Sequence, residues 1–274
     1  MKKIFSILLL VAAFCPVFAQ KVNETVALYG KEQLNGFTIN IYNAPIDVVE
    51  GALVDKFENQ FGMKGKKNKN YHVYQNYACP TFGEAKYDIY FTTQEVGKKK
   101  NRSVQVTLIV STGNQNCITY ANDPRTARNI TTFLENFNHD VEAYAIKLKI
   151  DELNGQLAAL DKERKSLEKE QSKIMDKLNK TNDEIKETAN QVEAKTAEMT
   201  RLQEKYTSSH DPEVKSQIDK TAKDTQSLQK SQSNMQKSLL KLNNDLQKLN
   251  KKLDATVKNQ EKTNAELREV ERKR

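Results

Sequence analysis

The side chains with the most chemical scope in this 274-residue chain are few: three cysteines, three histidines and two lysine-rich runs. Cys15 sits in an apolar N-terminal run, which leaves Cys79 and Cys117. With 37 residues between them they lack the close spacing of a redox pair, and each closes a strand-rich segment. A structural disulfide is their expected chemistry in an oxidising compartment, against two buried thiols that never meet. His72, His139 and His210 fall on a strand, a helix and a turn, too scattered for one metal. The chain has no HExxH, no CxxC and no glycine-rich phosphate loop. No catalytic residue, metal ligand or cofactor is therefore expected, and the chain reads as a non-enzyme.

The lysine-rich runs are Lys64, Lys66, Lys67 and Lys69, then Lys98, Lys99, Lys100 and Arg102. In turns after a helix or between strands both could project together and contact an anionic partner: an envelope component such as a lipid headgroup or a polysaccharide, or a nucleic acid. The plainer account is that charge keeps sheet edges soluble. Tyr71, Tyr74, Tyr77, Tyr87 and Tyr90 lie on the flanking strands. A spacing of three alternates faces, so they are expected to pack the sheet rather than line one surface.

Lys2 and Lys3 precede the apolar run Ile4 to Phe14, and Val17-Phe18-Ala19 fits a cut before Gln20. Residues 1–19 thus read as a cleavable secretory signal, too short to span a bilayer. A periplasmic or secreted location follows, with no transmembrane segment after cleavage. Of the +8 formal charge, two leave with the signal, residues 20–145 carry +1 and residues 146–274 carry +5. Export and this near balance argue against a nucleic-acid partner.

Sixteen of the 20 aromatic residues lie between Tyr29 and Tyr144, and Tyr206 alone follows. Residues 20–145 read as an α+β head, an antiparallel sheet with two helices on one face. A strand runs through Phe37, Ile39 and Ile41 after an Asn35-Gly36 turn signal, and a helix opens at Pro45 and stops at Gly62. Strands are expected at Tyr71–Cys79, Ala85–Thr93 and Ser103–Ser111, with a shorter one near Ile118–Ala121. Asp123-Pro124 then caps a helix carrying Ile130, Phe133, Leu134, Phe137 and Val141 on one side.

Residues 146–274 read as a long antiparallel coiled-coil hairpin. From Ile146 to Tyr206 seam positions step by four and three without a break, and 13 of 18 are apolar. The turn spans 207–213, and Asp211-Pro212 restarts a helix whose seam, Val214 to Arg274, has 11 apolar positions of 18. The arms 146–206 and 214–274 have equal length, 61 residues each. With Tyr206 opposite Val214, polar seam residues meet in layers: Thr188 with Gln232, Lys195 with Thr225, and Arg164 with Thr256. Gln171 opposite Leu249 and Thr181 opposite Leu239 break the matching. Gly155 is a candidate bend.

The run from Phe37 to Pro45, Phe-Thr-Ile-Asn-Ile-Tyr-Asn-Ala-Pro, leads into a helix through Val49 and Leu53. With the cut before Gln20 and the C-terminal coil, it resembles uncharacterised exported proteins of the Bacteroidetes type. That resemblance implies a periplasmic or secreted location and no activity. The expected function is a non-enzymatic cell-envelope protein. Its coil would be a spacer, or a platform for a protein partner or for self-association, and its head a docking module. The alternative is a periplasmic binding module for an apolar or anionic ligand, with Phe37, Ile39, Val49, Leu53 and Phe57 lining an apolar pocket.

Overall fold

The structure is a computed structural model that describes residues 21–98, 102–114 and 116–274. Chain contacts divide into two compact units, one through Asp151 together with Val270–Arg274, the other Glu152–Glu269. The expected signal at residues 1–19 lies outside the described residues, as do Lys99 and Lys100.

The first unit holds six strands, all paired antiparallel: β1 (Asn23–Tyr29), β2 (Glu32–Tyr42), β3 (Lys66–Asn68), β4 (Tyr71–Ala78), β5 (Lys86–Val96) and β6 (Ser103–Ser111). Their order in the sheet is β1-β2-β6-β5-β4-β3. Helix α1 (Ile46–Val54) continues into a π-helical turn, Asp55–Gln60, which ends at Gly62 with φ +68°. Helix α2 starts at Pro124, where the Asp123 carboxylate accepts the Thr126 N–H at 3.0 Å.

Strand alternation builds one apolar face. Phe37, Ile39 and Ile41 of β2, Val104, Val106, Leu108 and Val110 of β6, and Ile89 and Phe91 of β5 are buried there. Val49, Ala52 and Leu53 of α1, Phe57 of the π-helical turn, and Ile130, Leu134, Phe137 and Val141 of α2 join the same cluster. Both helices therefore cover one face, as the helical apolar spacing predicts. Gly51 lets α1 approach α2, since a Cβ there would lie 2.6 Å from the Tyr144 ring.

Four sequence expectations change. Asn35-Gly36 is no turn. It lies inside β2, and the β1–β2 turn falls at Gly30-Lys31. Gly36 is there because a Cβ would stand 2.7 Å from the Leu108 carbonyl oxygen and 2.9 Å from Ile109. Past that point β2 leaves β6, and the β1–β2 hairpin folds across the second face. Tyr29 there meets the rings of Tyr71 and Tyr90, at 5.4 and 4.9 Å, and accepts a hydrogen bond from Asn68 at 2.8 Å. The first lysine-rich run forms an edge strand, β3, rather than only a turn. No strand forms at Ile118–Ala121. Only the bridge Ser111–Cys117 pairs, and Asn122 ties the segment down through Thr119 and Cys117. Finally, β4 carries a bulge between Tyr74 and Tyr77, with Asn76 at φ +59°, and Asp88 accepts the Asn76 N–H. The extra residue puts Tyr77 on the same face as Tyr74, where unbroken alternation would oppose them.

Helix α2 runs without interruption from Pro124 to Ser209, Gly155 included, and α3 spans Pro212–Glu271. In the second unit the two are joined by His210 and Asp211. His210 adopts φ +55°, and Asp211 accepts the Glu213 N–H at 2.9 Å. Gln171 donates to Asn250 across the two helices at 2.8 Å. Residues shielded from solvent recur every three or four positions, from Leu153 to Tyr206 on α2 and from Val214 to Leu267 on α3.

Candidate functional site

The densest polar constellation of the first unit draws on four elements. Glu50 projects from α1, Lys67 from β3, His72 from β4 and Thr93 from β5. The register explains the meeting: Lys67 pairs with His72 and His72 with Phe91, all on the helix-covered face. Lys67 Nζ reaches Glu50 Oε1 at 2.7 Å, and His72 Nε2 lies 2.8 Å from the same oxygen. Thr93 Oγ1 donates to Oε2 at 3.2 Å. The His72 ring stacks on Phe91, 4.6 Å between centroids with planes 10° apart. Lys67, and after it His72, hold the Glu50 carboxyl well below its usual range, at about 2. An anion so held accepts hydrogen bonds and does not deliver a proton near neutral pH. It therefore anchors α1 to three strands. Glu50 and Thr93 were not recognisable as partners from the sequence, because Glu50, His72 and Thr93 lie 22 and 21 positions apart. The available signal was one acidic residue on α1 beside the apolar stripe.

A second cluster joins the π-helical turn to α2. Lys56 pairs with Asp140, and Lys147 with Asp55, both at 2.7 Å. Lys147, with Asn59 and Gln60, keeps the Asp55 carboxyl below its usual range. Beside it opens a groove of about 310 Å³ lined by Lys56, Phe61, Thr81, Asn129, Asn136 and Asp140. Its walls mix polar groups with the Phe61 and Phe133 rings, and none of Phe37, Ile39, Val49, Leu53 and Phe57, all buried to 1% exposure or less, lines it. Those five residues form close-packed core.

The basic residues part company. Lys67 is drawn to Glu50, and Arg102 to Glu95 at 3.4 Å. The Lys64 backbone N–H donates to the Tyr77 hydroxyl. Lys64, Lys66, Lys69 and Lys98 are exposed. By register the turn after β3 and the end of β5 share one end of the sheet, so Lys69 and Lys98 lie at that end.

Cys79 and Cys117 are buried free thiols that the structure does not bring together. Cys79 belongs to the helix-side core and Cys117 to the cluster of Leu34, Tyr71, Val73 and Ile109 on the other face. Burial pushes both thiols up, Cys79 to about 11. The three histidines occupy separate places. His139 is exposed near Glu142, and His210 leans on the Tyr206 ring. Among the described residues no group of acidic, histidine or cysteine side chains is arranged to hold a metal, and no helix is long and apolar enough to cross a membrane.

On the long helices the expected polar layers are shielded from solvent but not bonded as layers. Thr188 and Thr225 return their hydroxyls to carbonyls four residues back, at 2.8 Å each, and Thr256 does so at 3.1 Å. Lys195 pairs with Glu198, and Arg164 with Asp161, each within its own helix. Gln232 is half-buried. Gln171, expected to be mismatched against Leu249, instead reaches the neighbouring Asn250, and Leu249 stays buried.

No protein-family model matches the chain, nor does any curated protein or any solved structure.

Proposed function

We propose that the chain is a non-enzymatic protein of the cell envelope, exported by residues 1–19. Its two long helices pack as an antiparallel coiled coil, which serves as a spacer and as a docking platform for a protein partner. The α+β head is its second docking module. The observation that supports this reading most is the shielding pattern. Every seam position from Leu153 to Tyr206, and from Val214 to Leu267, is turned from solvent, while nearly all positions between are exposed. Such a pair needs no further chain to cover its seam, so its outer surface is free for a partner. Met175 and Leu240, exposed at 50% and 64%, are two large apolar side chains on that outer surface.

The reading as a non-enzyme is supported by the Glu50 cluster, where the carboxylate is engaged by Lys67, His72 and Thr93. The test is affinity purification of the full chain from envelope fractions, with Met175→Lys and Leu240→Lys in parallel. A partner retained by the parent chain and lost from both folded variants is the expected result. Partners unchanged in both would contradict the platform.

A further inference from the structure

We propose that the open half of the sheet's second face binds a neutral glycan. This goes beyond the coiled-coil reading and does not depend on it. The face turned away from the helices has two halves. Under the folded-over β1–β2 hairpin it is apolar, with Leu34, Tyr71, Val73 and Ile109 buried. Beyond the hairpin it changes chemistry. Thr38 pairs with Thr107 and Thr107 with Thr92, giving one hydroxyl row across three strands. Asn40 pairs with Gln105 and Gln105 with Gln94, giving an amide row beside it. Ser103 and the half-exposed Tyr42 lie at the end.

None of these side chains is charged, in a chain that is 29% charged. Thr is favoured in strands, so propensity accounts for the hydroxyl row, but Asn is disfavoured there, so propensity does not account for Asn40 in the amide row. Thr107 and Ser103 are 8% and 6% exposed, although no described helix contributes to the clusters on this side. The folded-over hairpin thus borders a patch of partly shielded polar groups. Within it the Asn40 Oδ1 is shielded and accepts no hydrogen bond. A buried acceptor left unpaired is costly, and a turn of the Asn40 side chain toward the open face would let a donor from a ligand relieve it.

The chemistry selects the occupant. Carboxamides both donate and accept, which matches sugar hydroxyls and acetamido groups. Side chains within each row stand on adjacent strands and repeat every ~4.8 Å, a spacing suited to successive polar groups of an extended chain. The Tyr42 ring offers an apolar face for sugar C–H groups. A lipid or an amphipathic helix would need apolar surface, and a nucleic acid would need Lys or Arg within the patch.

The experiment is calorimetric titration of the full chain with chitohexaose, which carries acetamides, and with maltohexaose, which carries hydroxyls alone. Saturable binding of either is expected, weakened at least tenfold by Gln105→Leu, with the thermal unfolding curve retained. Tyr42→Ala and Gln94→Ala change exposed side chains, keep the fold, and should weaken binding in the same direction. No saturable binding of either sugar overturns the proposal. So does binding that all three variants leave unchanged, or sedimentation showing that these variants instead abolish pairing with a second copy.

Discussion

A single carboxylate illustrates how little of the head's polar architecture is local. Glu50 meets Lys67, His72 and Thr93 only after three strands have found their register. Its carboxyl is lowered from an ordinary 4.5 to about 2, chiefly by Lys67. A lowered carboxylate stabilises the fold fully above about pH 4.5, and that contribution fades as pH falls to about 2. Glu50→Gln should therefore cost about 1–2 kcal/mol at neutral pH, discounted because Lys67 is half exposed. Denaturant unfolding across pH checks this: the gap between parent and variant should close near pH 2, and a gap that persists there would contradict the account. The thiols give a second check. In the chain lacking residues 1–19, Cys79 and Cys117 should resist a thiol reagent when folded and yield two equivalents when unfolded. No thiol on unfolding would show a disulfide instead. Sequence alone leaves both outcomes open, because it does not reveal that the two residues belong to opposite faces of the sheet.

Elements were legible where their periodicity was long. The seam of the two helices could be counted from Ile146 onward, and the caps Asp123-Pro124 and Asp211-Pro212 read directly. Short or non-alternating strands were not. β3 is Lys-Lys-Asn with no apolar residue, and β1 exposes Val26 and Leu28 while turning Ala27 and Tyr29 inward, which inverts the expected pattern. Asn35-Gly36 carried a turn signal, yet its glycine answers a close strand contact. Gly36→Ala should thus destabilise the chain by about 2 kcal/mol, through a clash with the Leu108 carbonyl. Gly155→Ala should stabilise α2 by about 0.5–1 kcal/mol, since nothing lies within 4 Å of its added methyl group. Melting curves of the two variants should move in opposite directions. Matching shifts would mean that Gly155 has a role the helix does not show.

At the scale of the whole chain, composition records a division of labour. Rings and glycines concentrate in the unit that builds a sheet, and heptad residues concentrate in the one that pairs helices. The basic balance resides mostly in residues 146–274, on helix surfaces laced with short-range ion pairs such as Lys165–Asp161 and Lys195–Glu198. In the proposed coiled coil the Gln171–Asn250 bond is a polar contact between the two helices that would restrict their register. The proposed platform depends on one register, with Tyr206 opposite Val214 and Gln171 beside Asn250. Oxidation of the Gln171→Cys, Asn250→Cys double variant, in the chain lacking residues 1–19, tests this most directly, since Cys79 and Cys117 are buried. The account predicts a rapid disulfide within a single chain, and none when Gln171→Cys is combined with Lys220→Cys. Dimer-only cross-links, or equal reaction of both pairs, would contradict it.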